Sequence, residues 1–315
     1  MDLQQEISDR SANIGIMGVG YVGLPKAISF TNAGFEVTGF DVDEDRTRNL
    51  NRGDSYITDI SDTELQEALD TGRLEATTKM KKLSEVDIVL ICVPTPLKKS
   101  RTPDVSYIVE ASKQLESHLE PPALIILEST TYPGTTEEVL QERLQKNGLD
   151  VNDDYHVAFS PERIDPANDE YNIKNTPKVI GGLTKEAGEF GQNLYETVAD
   201  EVVLVSDTNT AEMVKLIENV FRVVNIGLAN EIALICDRLN INVWEAIDAA
   251  ATKPYGFMPF YPGPGLGGHC IPVDPQFLSW KAKTNDVFPR FIDLADEVNR
   301  SMPDYIIDKV VDGLN

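Results

Sequence analysis

The residues of this chain whose types and spacing can do chemistry are a spaced glycine triplet, a lysine and asparagine one helical turn apart, and a cysteine following a run of glycines. The triplet is Gly18, Gly20 and Gly23 in NIGIMGVGYVGLPKA, a GxGxxG run placed directly after an apolar stretch and before a helical one. The first two glycines permit a tight turn and close backbone approach to a pyrophosphate, and the third lets helix and strand meet. Val19, Tyr21 and Val22 complete the turn, and the amides at the helix start hold phosphate. The next run, EVTGFDVDEDR, carries Asp41, 18 residues beyond Gly23. A carboxylate there accepts both ribose hydroxyls and repels the extra phosphate of NADP, so the dinucleotide expected is NAD.

Other candidates stand at the ends of later apolar runs. DIVLICVPTP brings Val93 to Pro96, and with them Pro94 and Thr95, to the carboxyl edge of a sheet, where open α/β folds bind ligands. Cys92, inside that run, reads as a buried small hydrophobe. LIILESTTYPG brings Ser129 and Thr130 to another strand end, where their hydroxyls either face a ligand or form the turn. SPERIDP brings Glu162 and Arg163 just past a third. Lys215, Asn219 and Arg222, spaced i, i+4, i+7, share one helix face, which by spacing alone reads as a solvated polar face. The loop FMPFYPGPGLGGHCIPVDP contains Tyr261, and its glycines Gly263, Gly265, Gly267 and Gly268 precede His269 and Cys270, with Asp274 four residues later. Glycine-rich backbone approaches a ligand closely and offers amides to its oxygens, and a thiol there meets substrate rather than a core. Cys236, among Leu234, Ile235 and Leu239, reads as core.

Positioning these residues takes two domains, expected at 1–207 and 208–315. In the first, β-rich runs alternate with amphipathic helical runs, the sign of βαβ units and a parallel sheet. Strands are expected over Ile14 to Gly18, Glu36 to Asp41, Val86 to Val93, Ala123 to Leu127, His156 to Phe159, Lys178 to Gly181 and Val202 to Val205, with helices such as Glu137 to Gln145 and Lys185 to Val198 between. The pattern then changes. From Thr208 to Leu239 apolar residues recur at Met213, Leu216, Ile217, Val220, Phe221 and Val224, which predicts one long helix. Helices are also expected over Asn242 to Ala251, Phe277 to Lys283 and Arg290 to the end, with a Gly- and Pro-rich loop over Lys253 to Pro275. The fold class expected is α/β: a Rossmann-type doubly wound sheet followed by an all-α domain.

Composition narrows the partners. A formal charge of −24 and a pI near 4.4 argue against nucleic acid or an anionic membrane, so an anionic substrate must be met by locally placed cations. No run of about 18 apolar residues exists, so no membrane span is expected. The opening MDLQQEISDRSA lacks the apolar core of a signal peptide, and a cytoplasmic protein is expected. Cys92, Cys236 and Cys270 have neither zinc nor redox spacing, so no metal and a reducing compartment are expected.

Taken in order, GxGxxG, CVPTP, STTYPG, SPERIDP, the Lys215/Asn219 helix and GPGLGGHCIPVDP resemble the UDP-glucose/GDP-mannose dehydrogenase family, the nucleotide-sugar 6-dehydrogenases, from about Asn13 to Asn315. The resemblance implies oxidation of a sugar primary alcohol to a carboxylate with two NAD, through an aldehyde held on cysteine as a thiohemiacetal and then a thioester. It makes Cys270 the nucleophile, and Lys215 and Asn219 the stabilisers of a developing alkoxide. Asp274 with Glu162 would handle the proton and hydrolytic water, Thr130 would position water near the nicotinamide, and Arg46 would contact the adenosine ribose. Arg163, Arg222, Tyr261 and Gly267 join Glu162, Lys215 and Asn219 as substrate-binding candidates. Pro166 stands where the glucose-type enzymes carry an acidic residue, and Val273 where they carry lysine. With STTYPGTT, these departures resemble the N-acetylglucosamine branch, although the N-acetylmannosamine enzymes share GGHC. The family pairs through its long central helix, so a homodimer is expected. It also continues into a second Rossmann-like, UDP-binding domain, and this chain stops at Asn315, so NAD binding with weak or absent turnover is expected. Two rivals are the 3-hydroxyacid and 6-phosphogluconate dehydrogenases, which need no cysteine, and a non-catalytic NAD-binding or dimerising module.

Overall fold

The computed structural model describes residues 3–146, 155–164, 170–268 and 271–314. Two compact units emerge, Met1–Pro96 with Asp104–Lys215, and Leu97–Pro103 with Leu216–Asn315.

The first unit runs α1 (Leu3–Asp9), β1 (Asn13–Met17), α2 (Gly23–Asn32), β2 (Glu36–Phe40), α3 (Glu44–Arg52), α4 (Asp62–Asp70), β3 (Leu74–Thr77), β4 (Ile88–Ile91), α5 (Ser106–His118), β5 (Ala123–Leu127), α6 (Glu142–Lys146), β6 (Tyr155–Phe159), β7 (Lys178–Gly182), α7 (Lys185–Tyr195) and β8 (Val202–Leu204). The strand order is β3-β2-β1-β4-β5-β6-β7-β8. β1 therefore lies between β2 and β4, and the chain winds away from it in both directions, leaving a crevice at the carboxyl ends of β1 and β4.

Burial explains the strand sequences. Ile14, Ile16, Ile88, Leu90, Leu124 and Ile126 point to the face covered by Leu24 and Ala27 of α2, Leu65 of α4 and Leu194 of α7. Their neighbours Met17, Val89, Ile91, Ile125 and Leu127 point to the face covered by Ile108, Ala111 and Leu115 of α5 and Leu144 of α6. A strand covered on both sides reads as an unbroken apolar run, as IVLI and ALIIL do.

The first unit departs from the expectation in three ways. β3, the strand LEAT, was not foreseen, and β7 pairs with β6 antiparallel, so the sheet is mixed. The helix expected over Glu137 to Gln145 begins as a π-helical turn, Thr136–Gln141, before α6.

α8 (Thr208–Arg238) starts in the first unit and continues through the second, which also holds α9 (Val243–Ala251), α10 (Asp274–Thr284) and α11 (Arg290–Leu314). The expected stripe on α8 is covered in part: Leu216 is buried and Met213, Val220 and Val224 are half-buried. Ile217 and Phe221 are 57% and 49% exposed, while Glu212, Lys215, Leu216, Val223 and Asn230 are buried. Lys215 is thus no solvated lysine, and of the three residues expected to share a polar face only Arg222 is exposed. Exposed apolar residues continue along α8 through Leu228, Ile232 and Ile235. Among the described residues α8 is one helix long and apolar enough to cross a membrane, a property that a soluble protein's central helix shares.

Candidate active site

Gly18 leaves β1 with φ of +92°, where a side chain is strained, and an added Cβ would lie 2.8 Å from the Cys92 carbonyl oxygen. At Gly23 a Cβ would lie 1.9 Å from the Gly18 carbonyl oxygen, so this glycine permits the helix to meet the turn. Nothing lies within 4 Å of a Cβ at Gly20. Its bareness is therefore not demanded by the protein and suits a ligand's close approach. α2 begins at Gly23 with no side-chain cap and no acidic residue in its first turn, a helix start suited to phosphate.

Asp41 is buried at the tip of β2; its Oδ2 accepts from Val19 N at 3.1 Å and its Oδ1 from Asp43 N at 3.0 Å. Arg46 lies 3.5 Å from Asp41 and 3.7 Å from Asp43. Tyr56, which the sequence did not single out, donates to Val19 O at 2.7 Å and fixes the turn from behind. Tyr21 and Pro94 are exposed, and Val22 and Thr95 half-buried. The glycine cradle, uncapped helix and ribose carboxylate together fit NAD.

Past the neighbouring strand ends, Ser129 Oγ donates to Ile91 O at 3.3 Å and Val93 O at 2.7 Å, tying β5 to β4, while Thr130 is half-buried. Beneath lies a buried charge cluster that the sequence did not reveal. Lys26 of α2 pairs with Glu162 and, at 3.1 Å, with Glu128; Lys178 of β7 pairs with Glu128 at 2.8 Å and lies 4.0 Å from Glu162. Tyr195 donates to Glu128, and Lys178 stands 4.8 Å from the Tyr195 ring. Burial opposes the Glu162 charge, but Lys26 and Lys178 outweigh it and hold this carboxyl well below the usual range. Its Oε1 also accepts from Arg163 N and Ile164 N at 2.8 and 2.9 Å. The Glu162 carbonyl accepts from Lys215 Nζ at 2.6 Å. Arg163 itself reaches the Pro177 carbonyl at 2.5 Å.

One turn before Lys215, buried Glu212 accepts from Gly134 N at 2.6 Å, Thr136 N at 2.9 Å and Thr136 Oγ1 at 2.7 Å. Burial pushes its carboxyl up to about 7 against these bonds. Glu212 thereby holds the segment that follows Thr130.

In the second unit, Asn219 Nδ2 donates to Asp274 Oδ2 at 2.5 Å. Asp274 is buried as the first residue of α10, where the helix dipole favours a carboxylate. The glycine-rich loop is anchored from below: Gly263 N donates to Asn230 Oδ1 at 2.8 Å, Asn230 Nδ2 to Asn299 Oδ1 at 2.8 Å, and Asn299 Nδ2 to Val223 O at 3.2 Å. Gly265 and Gly268 adopt positive φ, and the space around Gly267 is open. Tyr261 stacks on Trp244 with centroids 5.8 Å apart and donates to Asp248 at 2.9 Å. His269 and Cys270 lie outside the described residues, as does Pro166. Cys92 and Cys236 are buried. Among the described residues no group of His, Cys, Asp or Glu could hold a metal ion.

Comparison with known proteins agrees with this geometry. Residues 12–199 match the NAD-binding domain of the UDP-glucose/GDP-mannose dehydrogenase family, and 209–301 match its central domain. A UDP-N-acetyl-D-mannosamine dehydrogenase of Pyrococcus horikoshii is 37% identical over 291 residues, 92% of this chain and 68% of the relative. Its solved counterpart superposes with a TM-score of 0.89 at 37% identity, covering 96% of this chain and 71% of that one. A UDP-N-acetyl-D-glucosamine 6-dehydrogenase of Pseudomonas aeruginosa is 36% identical over 304 residues, 96% of this chain and 71% of the relative. The structure of a UDP-glucose dehydrogenase from Pyrobaculum islandicum matches with a TM-score of 0.87 at 26% identity, covering 96% of this chain and 71% of that one. With its first unit an NAD-binding domain and its second matching the central domain, the chain belongs to the UDP-glucose/GDP-mannose dehydrogenase family.

Proposed function

We propose that this protein oxidises a UDP-sugar at carbon six to the uronate, with Cys270 as nucleophile. The observation that carries this reading is the hydrogen bond from Asn219 to Asp274, four residues beyond Cys270, in a chain of this family. Residues 1–207 form the cofactor domain of this proposal and 208–315 the catalytic and dimerising one. Gly18, Val19, Gly20, Tyr21, Val22, Gly23, Asp41, Arg46, Pro94, Thr95 and Thr130 hold NAD, which accepts hydride in both oxidations.

The alcohol first loses its hydroxyl proton to the water that Asp274 holds, and a hydride from carbon six. Lys215 and Asn219 lower the cost of the alkoxide, an ammonium and an amide donor facing developing negative charge. The Cys270 sulfur then adds to the aldehyde carbon, which prevents its escape and presents a tetrahedral centre for the second hydride loss. Water adds to the resulting thioester, the C–S bond breaks, and carboxylate and thiol are released. Thr130 holds the water and Asp274 takes its proton. Glu162, whose carboxylate is committed to Lys26, serves through the carbonyl that holds Lys215. Arg163, Arg222, Tyr261 and Gly267 bind the nucleotide sugar.

The proposed sugar is N-acetylglucosamine, on the strength of Val273 and Pro166. N-acetylmannosamine is the second reading, favoured by the Pyrococcus horikoshii match. Comparing kcat/KM for both and for UDP-glucose decides, and a preference of ten-fold or more for UDP-glucose would reject both, since ten-fold is about 1.4 kcal/mol. A cytoplasmic homodimer is proposed, neither membrane-bound nor bound to nucleic acid, its copies meeting along Ile217, Phe221, Leu228, Ile232 and Ile235 of α8.

A further inference from the structure

The buried charges Lys26, Glu128 and Lys178 are themselves assigned no contact with NAD or with the sugar, yet two of them face Glu162. Lys26 is 3%, Glu128 1% and Lys178 8% exposed. Replacing such a buried ionic set by apolar residues is often neutral or stabilising, so stability alone does not account for it. What the set does is immobilise one turn. Four donors converge on the Glu162 carboxylate: Lys26 of α2 and Lys178 of β7 face Oε2, while Arg163 N and Ile164 N of its own segment bond Oε1. A carboxylate gripped at both oxygens fixes its own backbone, and the Glu162 carbonyl receives the Lys215 ammonium at 2.6 Å. Lys26 sits on α2, the helix whose first turn belongs to the cofactor cradle, so one rigid chain of contacts leads from that helix to Lys215.

We propose that Lys26 is a positioning residue for Lys215, clamping the Glu162 carboxylate so that the Glu162 carbonyl stands where it holds the Lys215 ammonium. Glu162 is then an anchor and not a proton carrier. This rests on the reading above that Lys215 stabilises the alkoxide. The ionised state of Glu162 is consistent with it, because a carboxylate held well below its usual range is a poor base.

The test compares wild type with Lys26→Met, Lys26→Arg, Glu162→Gln and the double variant Lys26→Met/Glu162→Gln, which removes both charges and so spares the fold an unpaired ion. The readouts are kcat and KM, melting temperature, and the rate at which an amine-directed acylating reagent labels Lys215, located by mass spectrometry. Displacing a positioned group by about 1 Å costs ~10²-fold, so Lys26→Met and the double variant are expected to lose ~10- to 100-fold in kcat with KM little changed. Lys215 is expected to label faster in both, and Lys26→Arg to restore kcat and labelling towards wild type. Glu162→Gln is expected to lower kcat without altering the shape of its pH profile. The proposal is overturned if folded Lys26→Met or the double variant labels Lys215 at the wild-type rate, or if Lys26→Arg restores the melting temperature but not kcat. Full turnover by Lys215→Met would instead refute the catalytic reading, while the labelling rates still decide whether Lys26 anchors that lysine.

Discussion

Asn219 and Asp274 are joined by a 2.5 Å hydrogen bond that links the middle of α8 to the first residue of α10, at the end of the cysteine loop. The bond spends one amide proton of Asn219 and leaves the other for an oxyanion. Asn219→Ala is expected to lower kcat by ~10²- to 10³-fold, the range for removing one aligned donor, and Asp274→Asn by ~10²- to 10⁴-fold, the range for losing a general base. Affinity for NADH, followed by its fluorescence, is expected to stay within about two-fold. A variant that loses NADH binding and keeps kcat would reverse these roles.

Asp41 accepts two backbone amides and faces Arg46, so it both shapes the glycine turn and presents charge to a ribose. Asp41→Ala is expected to weaken NAD binding ~10- to 100-fold, since hydrogen bonds to charged groups contribute about 1.5–3 kcal/mol. The same change is expected to narrow the preference for NAD over NADP. Calorimetric titration of both dinucleotides measures it, and an unchanged ratio would show that selectivity lies elsewhere.

Glu212 couples the fold to pH. Its carboxyl is raised to about 7 in the folded state from an ordinary 4.5, so between these values the folded chain holds a proton that the unfolded chain has released. Stability attributable to this group is present below pH 4.5 and is lost as pH rises through 7. Relative to wild type, Glu212→Gln is therefore expected to gain stability with rising pH, by on the order of 3 kcal/mol across the window. Urea unfolding at pH 5 and pH 8 gives the difference; a variant whose stability relative to wild type falls between these values would contradict the sign.

Asn230 and Asn299 form a buried relay from α8 to the loop amide at Gly263. Asn230→Ala leaves the partners of two hydrogen bonds unsatisfied and is expected to destabilise the fold by about 2–3 kcal/mol. It is also expected to change the alkylation rate of Cys270, which mass spectrometry separates from buried Cys92 and Cys236. A destabilised variant with an unchanged alkylation rate would confine the relay to the fold.

How much of this was legible in the sequence depended on whether the signal was local. Gly18, Gly20, Gly23 and Asp41 announce themselves by spacing, because turn geometry and ligand distance fix it. The reversed pairing of β7 was also within reach: SPERIDPANDEYNIKNTP separates the two strand runs without a helical period, and a parallel return needs a crossover. β3 was missed because LEAT is too short and too polar to declare itself. The burial of Glu212, Lys215 and Asn230 on α8 was missed because periodicity ranks apolar residues, whereas these three are buried by polar partners far away in sequence. Lys26, Glu128, Glu162, Lys178 and Tyr195 come from five separate segments and meet only once the sheet forms, so no spacing marks them.

The proposed chemistry turns on two oxidations separated by a covalent sulfur adduct. The most direct measurement is the number of NADH formed per UDP-sugar consumed, with protein in excess over sugar so that slow turnover still runs to completion. Two are expected for the wild-type chain and one for Cys270→Ser, with an aldehyde left to trap. One NADH per sugar in the wild type, or two in the variant, would contradict it.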